Sequence, residues 1–228
     1  MTTIFWAGDS TVQFNNIYTY PQTGIGQVMP MFLKRDVKVD NRAVNGRSTK
    51  SFIDEFRVAY IYDNITEGDF LFIQFGHNDE KINDPARYTR PDYEFVENLG
   101  KFVNVARNKK ANPVFITPLE RRCFDDNGVL GPCTHEEYTR AMIKAGELYN
   151  VPVIDLTSKS REALKASGVE ESKEWYMHLP AGKYENYPDG LTDNTHLKFK
   201  GALKYAGLIA EGLKELGGIY EQLLETEK

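Results

Sequence analysis

Short apolar runs recur along the chain, separated by stretches whose apolar residues return every three or four positions. The runs are Thr3–Ala7, Asp69–Phe75, Asn112–Thr117 and Val151–Asp155, with a weaker one at Lys38–Arg42. They are nearly continuous rather than alternating, the pattern of strands buried on both faces of a parallel sheet. Helical spacing occupies Gly26–Leu33, Ser51–Tyr60, Pro91–Lys109, His135–Tyr149 and Ser158–Ala166. Lys198–Glu227 reads as one or two further helices, with Gly217-Gly218 as the break. Pro91 suits a first helical position, and Thr157 or Ser158 suits an N-cap.

Alternating strands and helices predict βαβ units, and hence an α/β fold with a mostly parallel sheet covered by helices on both faces. The 228 residues are enough for one such domain, spanning 1–228, and no linker or internal repeat divides them. Arg121–Thr134 and Gly168–Asn194 read as long irregular segments, which in a compact domain are often functional. Ligands of open α/β sheets sit beyond the carboxyl ends of the strands. The residues just after each apolar run are therefore the first candidates for chemistry.

Composition narrows the classes. The chain is 41% hydrophobic and 27% charged, with a formal net charge of −5. Its basic residues form only doublets, Lys109-Lys110 and Arg121-Arg122, so nothing argues for nucleic acid. No stretch approaches the roughly 20 apolar residues that span a bilayer. Met1-Thr2-Thr3 leads straight into Ile4-Phe5-Trp6-Ala7 without a basic region and a long apolar region, so with Met1 as the native start a cytoplasmic protein is expected. Cys123 and Cys133 are expected as free thiols in a reducing compartment, and their spacing allows a loop-closing disulfide in an oxidising one.

The strand ends carry small and polar groups. Gly8-Asp9-Ser10-Thr11 follows the first run, Asn45-Gly46-Arg47-Ser48 follows the second, and Gly76-His77-Asn78-Asp79 follows the third. Asp193-Asn194-Thr195-His196 precedes the last helical segment. A serine nucleophile needs a base, and the base needs an orienting carboxylate. Ser10, His196 and Asp193 supply the three, Asp193 folding back within one turn to the His196 Nδ1. An oxyanion needs donors, and the Ser10 N–H, the Gly46 N–H and the Asn78 amide are candidates. The scheme calls on no metal or organic cofactor. The GxSxG nucleophile elbow is absent, so Ser10 is expected in the first strand–helix turn, where the start of a helix would add its positive end.

Taken singly, each piece has a plainer reading. The Gly8–Thr11 turn could cap a helix or cradle a phosphate. Asp193 and His196 could be a surface capping pair. His77, Asp79, Asp193 and His196 could ligate a metal, although no metal-binding spacing supports it. Tyr18, Tyr20, Tyr176, Tyr184 and Tyr187 could line a sugar site or simply pack, and Trp6 reads as core. A binding module for carbohydrate or phosphate stays open beside a catalyst. The joint order of the motifs favours the catalyst, since a pure binder has no use for a general base.

Together, Ser10, Gly46, Asn78 and His196 resemble the four signature residues of the SGNH hydrolase superfamily, also called the GDSL family. The resemblance spans nearly the whole chain. Gly8–Gln13, Pro21–Gln27, Asn45–Thr49 and Gln74–Asp79 are similar to the rhamnogalacturonan acetylesterase group, carbohydrate esterase family 12. Thr11 stands where the family name has Leu. The resemblance implies a flavodoxin-like three-layer α/β/α sandwich. It also implies a serine esterase, with Ser10, Asp193 and His196 catalytic and Ser10, Gly46 and Asn78 forming the oxyanion hole. The implied substrate is acetylated pectic carbohydrate, with xylan or other acetylated sugars as the alternative. The oligomeric state is left open.

Overall fold

A computed structural model describes residues 2–225. Strands β1 (Thr2–Gly8), β2 (Val37–Asn41), β3 (Phe70–Gln74), β4 (Asn112–Ile116) and β5 (Val153–Ile154) form one sheet in the order β2-β1-β3-β4-β5. Every pairing is parallel. This is the flavodoxin-like strand order, as the resemblance implied.

Alternate side chains of each strand point to opposite faces, and in β1, β3 and β4 the sequence fills both with apolar groups, while the edge strand β2 offers Val37 and Val39 on one face only. On one face Ile4, Trp6, Phe70, Phe72, Val114 and Ile116 pack against α1 (Ile25–Val28), α6 (Leu156–Lys173) and α7 (Phe199–Leu216). On the other, Phe5, Ala7, Leu71, Ile73 and Phe115 meet α2 (Thr49–Asp54), α3 (Arg57–Asn64), α4 (Val96–Asn108) and α5 (Glu136–Tyr149). Trp6 is fully buried, its ring 5.3 Å from that of Phe72. Because β2 and β3 flank β1 while the connecting helices change faces, a crevice opens at the carboxyl ends of β1 and β3.

Several boundaries differ from the periodicity. Gly26–Leu33 is not one helix: the short α1 passes into a 3-10 turn over Met29–Phe32. Ser51–Tyr60 is interrupted where Phe56 takes φ 56° and starts α3 afresh. Pro91 does open a helix, through a π-helical turn over Pro91–Phe95 that leads into α4. The N-cap of α6 is Asp155, whose carboxylate accepts the Ser158 N–H, rather than Thr157 or Ser158. α7 ends at Gly217, and α8 (Gly218–Glu221) follows as a separate short helix. Thr226 and Glu227, at the end of that predicted segment, lie outside the described residues.

The largest departure concerns Gly168–Asn194. α6 continues past a kink at Gly168 to Lys173, and β6 (Tyr176–Leu179) pairs antiparallel with β7 (Leu191–Leu197). The β7 sequence Leu-Thr-Asp-Asn-Thr-His-Leu is mostly polar, so it carries no apolar run by which to read a strand. Arg121–Thr134 is irregular, as expected. A buried Glu120 holds it, accepting from the Thr134 N–H and hydroxyl and from Arg161, which also donates to the Gly131 carbonyl. Cys123 and Cys133 are free thiols. Burial pushes both up, Cys133 to about 11. Among the described residues no helix is long and apolar enough to cross a membrane.

Candidate active site

The chain turns sharply after β1. The Asp9 carboxylate accepts the Thr11 N–H and hydroxyl at 2.9 and 2.8 Å, while the Asp9 carbonyl accepts the Val12 and Gln13 N–H groups. Such an aspartate turn needs no helix behind it. Ser10 therefore does not open a helix, and the expected dipole contribution is absent: only a 3-10 turn over Ile17–Thr19 precedes α1, which starts at Ile25. The Pro21–Gln27 segment instead packs directly onto this turn. Ile25 N–H donates to the Thr11 carbonyl, and a Cβ at Gly24 would lie 2.1 Å from the Gln13 carbonyl oxygen.

His196 reaches Ser10 by way of a bulge. Tyr176 pairs with Leu197 and Met177 with Asp193, so one step along β6 spans four along β7. Asn194, Thr195 and His196 are looped out of the ladder as a result. Asp193 organises the bulge, its Oδ1 accepting the Thr195 and His196 N–H groups at 2.7 and 3.0 Å. Its Oδ2 lies 2.6 Å from His196 Nδ1, and His196 Nε2 lies 2.9 Å from Ser10 Oγ. Burial would raise the Asp193 carboxyl, but His196 and these N–H groups outweigh it and hold the group below the ordinary range. An ionised Asp193 on Nδ1 favours the tautomer in which Nε2 accepts a proton.

The β2 end continues alongside β1, with the Arg42 N–H on the Trp6 carbonyl and the Val44 N–H on the Gly8 carbonyl. This carries Gly46 to the Ser10 turn. Gly46 has φ +75°, a conformation that glycine adopts without strain. Neither the Ser10 N–H nor the Gly46 N–H meets an acceptor among the described residues. Asn78, after β3, is held at both ends of its amide. Its Nδ2 donates to the Arg47 carbonyl at 3.1 Å, and its Oδ1 accepts from Arg87 Nη1 at 3.2 Å. That fixes the amide plane and leaves its second N–H for a ligand.

These groups line a cavity of about 380 Å³ together with Gln22, Asn45, His77, Lys81, Arg87, Arg121 and Thr195. The wall is cationic. Arg87 pairs with Asp84 at 2.5 Å and Arg121 with Glu80 at 2.8 Å, and Glu80 also reaches His135 Nδ1 at 2.7 Å. Nothing local in the spacing of Arg87, Lys81 and Arg121 ties them to Ser10, so sequence reasoning misses all three as site residues. His77 is buried with its ring centroid 4.2 Å from that of His135. Burial, then the nearby His135 ring and Arg121 guanidinium, hold it well below the ordinary histidine range.

The metal reading of His77, Asp79, Asp193 and His196 finds no convergence. Asp79 is turned into the core onto Thr49 and Thr89, and among the described residues no three His, Cys, Asp or Glu side chains cluster as a metal would need. Tyr176 is also no part of a sugar site. It is fully buried, its hydroxyl 2.8 Å from the Glu120 carbonyl and 2.8 Å from the Tyr205 hydroxyl. Tyr18, Tyr20, Tyr184 and Tyr187 lie instead on two adjoining surface loops.

A serine hydroxyl on an imidazole, a carboxylate behind it and free donors in front can together carry out acyl transfer. Known proteins give the arrangement a context. Rhamnogalacturonan acetylesterase RhgT of Bacillus subtilis (strain 168) is 44% identical over 214 residues, which cover 94% of this chain and 90% of that protein. A second protein of that strain, YesY, named as a probable rhamnogalacturonan acetylesterase, is 38% identical over 94% of this chain and 93% of its own length. The crystal structure of Bacillus subtilis protein YXIM superposes with a TM-score of 0.80 at 25% identity, covering 95% of this chain; the chain spans 57% of that protein. Residues 7–202 match the GDSL-like Lipase/Acylhydrolase family, a span that holds Ser10, Gly46, Asn78, Asp193 and His196. The chain thus belongs to the GDSL-like lipase/acylhydrolase family.

Proposed function

We propose that this chain is a serine esterase that removes acetyl groups from pectic carbohydrate of the rhamnogalacturonan type, with 1–228 acting as one SGNH hydrolase domain. The carrying observation is the hydrogen-bonded line Asp193–His196–Ser10, with steps of 2.6 and 2.9 Å, beside a cavity lined by Ser10, Gly46, Asn78 and His196. The two Bacillus subtilis proteins named for rhamnogalacturonan acetylesterase, similar over nearly the whole chain, support the substrate class.

Ser10 Oγ attacks the acetyl carbonyl carbon while its proton passes to His196 Nε2. The Ser10 and Gly46 N–H groups and the Asn78 amide bind the oxygen as it gains charge. Asp193 stabilises the imidazolium. The tetrahedral adduct then collapses, the bond to the sugar oxygen breaks, and His196 returns the proton to that oxygen. Water, giving a proton to His196, attacks the acetyl-serine; the carbon–Ser10 Oγ bond then breaks, His196 returns the proton to Oγ, and acetate leaves. The chemistry runs on these side chains and water.

The test is acetate release from acetylated rhamnogalacturonan, and 4-nitrophenol release from its acetate ester, by the wild type and by Ser10→Ala. The wild type is expected to turn over both and the variant neither. Undiminished turnover by Ser10→Ala would remove the nucleophile. Wild-type turnover of the small ester alone would remove the glycan.

A further inference from the structure

Four exposed large apolar side chains fall within seven residues: Phe14 at 64%, Ile17 at 76%, Tyr18 at 80% and Tyr20 at 63%. An apolar patch left open to water at this density marks a binding surface. With Lys183, Tyr184, Glu185 and Asn186, the Ile17–Tyr20 part of this stretch bounds a second cavity of about 500 Å³. No step of the mechanism uses it. We propose that it is a separate sugar subsite, holding a pyranose ring of the same glycan beside the acetylated residue in the Ser10 cavity. The proposal builds on the carbohydrate reading above, and its test separates the two.

The ligand class follows from the chemistry of the walls. The Tyr20 and Tyr184 rings lie 5.9 Å apart and inclined at 59°, giving an aromatic corner rather than a closed stack. A pyranose presents C–H groups on its faces and hydroxyls around its edge. Tyrosine matches this with an apolar ring and a polar tip, and ligand sites in general combine apolar walls with a few placed polar groups. Lys183 supplies a cation at the rim, its Nζ 5.6 Å from the Tyr184 ring centroid.

The backbone of the two loops that carry the corner is tied together before any ligand arrives. Asn186 Nδ2 donates to the carbonyls of Ile17 and Tyr20 at 2.8 and 3.1 Å, and the Tyr187 hydroxyl donates to the Thr19 carbonyl at 3.4 Å. These bonds join the two loops, so little ordering remains to oppose binding. Nearness along the chain to the Ser10 cavity selects the same glycan over an unrelated ligand. Gln22, which lines that cavity, is two residues from Tyr20, a separation of at most about 7 Å of extended chain. One sugar residue spans a comparable length.

The test uses the double variant Tyr20→Ala/Tyr184→Ala, with Tyr20→Phe/Tyr184→Phe as a ring-preserving control. Two readouts apply: kcat/KM on an acetylated rhamnogalacturonan oligosaccharide divided by that on 4-nitrophenyl acetate, and calorimetric binding of the deacetylated oligosaccharide. The alanine pair is expected to lower the ratio by about tenfold, chiefly through KM, and to weaken binding by about as much, as for loss of aromatic stacking. The phenylalanine pair keeps the rings and loses only the hydroxyls, so its ratio and affinity are expected to lie between those of the wild type and those of the alanine pair. A ratio and an affinity within twofold of wild type for the alanine pair would overturn the subsite. A wild-type dimer that the alanine pair dissociates would overturn it as well, assigning the corner to self-association. Binding that depends on the two tyrosines in a protein unable to deacetylate the glycan would retain the subsite and defeat the esterase reading. Deacetylation with an unmoved ratio would do the reverse.

Discussion

The Asp79 carboxylate accepts the Thr49 N–H with both oxygens, each 3.1 Å away, and so fastens the turn after β3 to the start of α2. Thr49 and Thr89 hydroxyls add to the same group at 2.5 and 3.0 Å, and the Tyr138 hydroxyl donates to the Asp79 carbonyl at 2.9 Å. Asn78, the adjoining residue, thus stands on a fixed backbone while Arg47 and Arg87 hold its amide. Asp79 acts on the site only through this anchorage.

Asn78→Ala is expected to lower kcat on 4-nitrophenyl acetate by about 10²–10³, the cost of losing one oxyanion donor. KM should move little, since the donor matters most once charge develops. Steady-state kinetics decide this, and a near-normal kcat would take Asn78 out of that role.

Asp193→Asn should be nearly as damaging. An amide in place of the carboxylate opposite Nδ1, now 2.6 Å away, no longer fixes the His196 tautomer or balances the imidazolium. A loss of roughly 10³–10⁴ in kcat is expected, with the fold retained by circular dichroism. A loss below tenfold would show that His196 works without it.

Asp79 also makes stability depend on pH. Burial pushes its carboxyl up to about 7, against the pull of the Thr49 and Thr89 donors. In the unfolded chain it titrates near the ordinary value of about 3.9. Between these values the folded state holds a proton that the unfolded state has lost. Stability from this group therefore falls as pH rises from about 4 to about 7, by up to about 1.4 kcal/mol per pH unit. Measured from pH 4 to 8, Tm of the wild type should decline more steeply than that of Asp79→Asn until about pH 7, after which the two should run parallel. Parallel curves throughout would mean that Asp79 is ionised in the fold.

Gly24→Ala and Gly46→Ala separate two reasons for glycine. At Gly24 a Cβ would sit 2.1 Å from one backbone oxygen and 2.6 Å from another, so the chain must move. At Gly46 it would meet only Arg87 Nη1, at 3.7 Å, and the cost is the positive φ alone. Denaturant melts should show about 1–2 kcal/mol lost at Gly46, and a larger loss at Gly24 from the backbone shift. Equal losses would contradict the packing of Pro21–Gln27 on the Ser10 turn.

Residues 1–228 by themselves determined the layers and four corners of the site. The apolar runs of β1, β3 and β4 are largely buried strands, which report their burial locally, whereas the edge strand β2 is only partly buried and gave the weaker run; Ser10, Gly46 and Asn78 follow β1, β2 and β3, while His196 precedes the last long helix. What stayed hidden depends on partners distant in sequence. β7 is polar, so its pairing with β6, and the bulge that turns Asp193 and His196 toward Ser10, have no periodic trace. Ser10 sits on an aspartate turn rather than a helix because Pro21–Gln27 packs where a helix would begin. The cationic wall of Lys81, Arg87 and Arg121 and the anchorage of Asp79 on Thr49 arise only where loops from separate strand ends meet. Hydrophobic periodicity records which face of an element is buried, whereas only the tertiary structure decides which polar group stands opposite which.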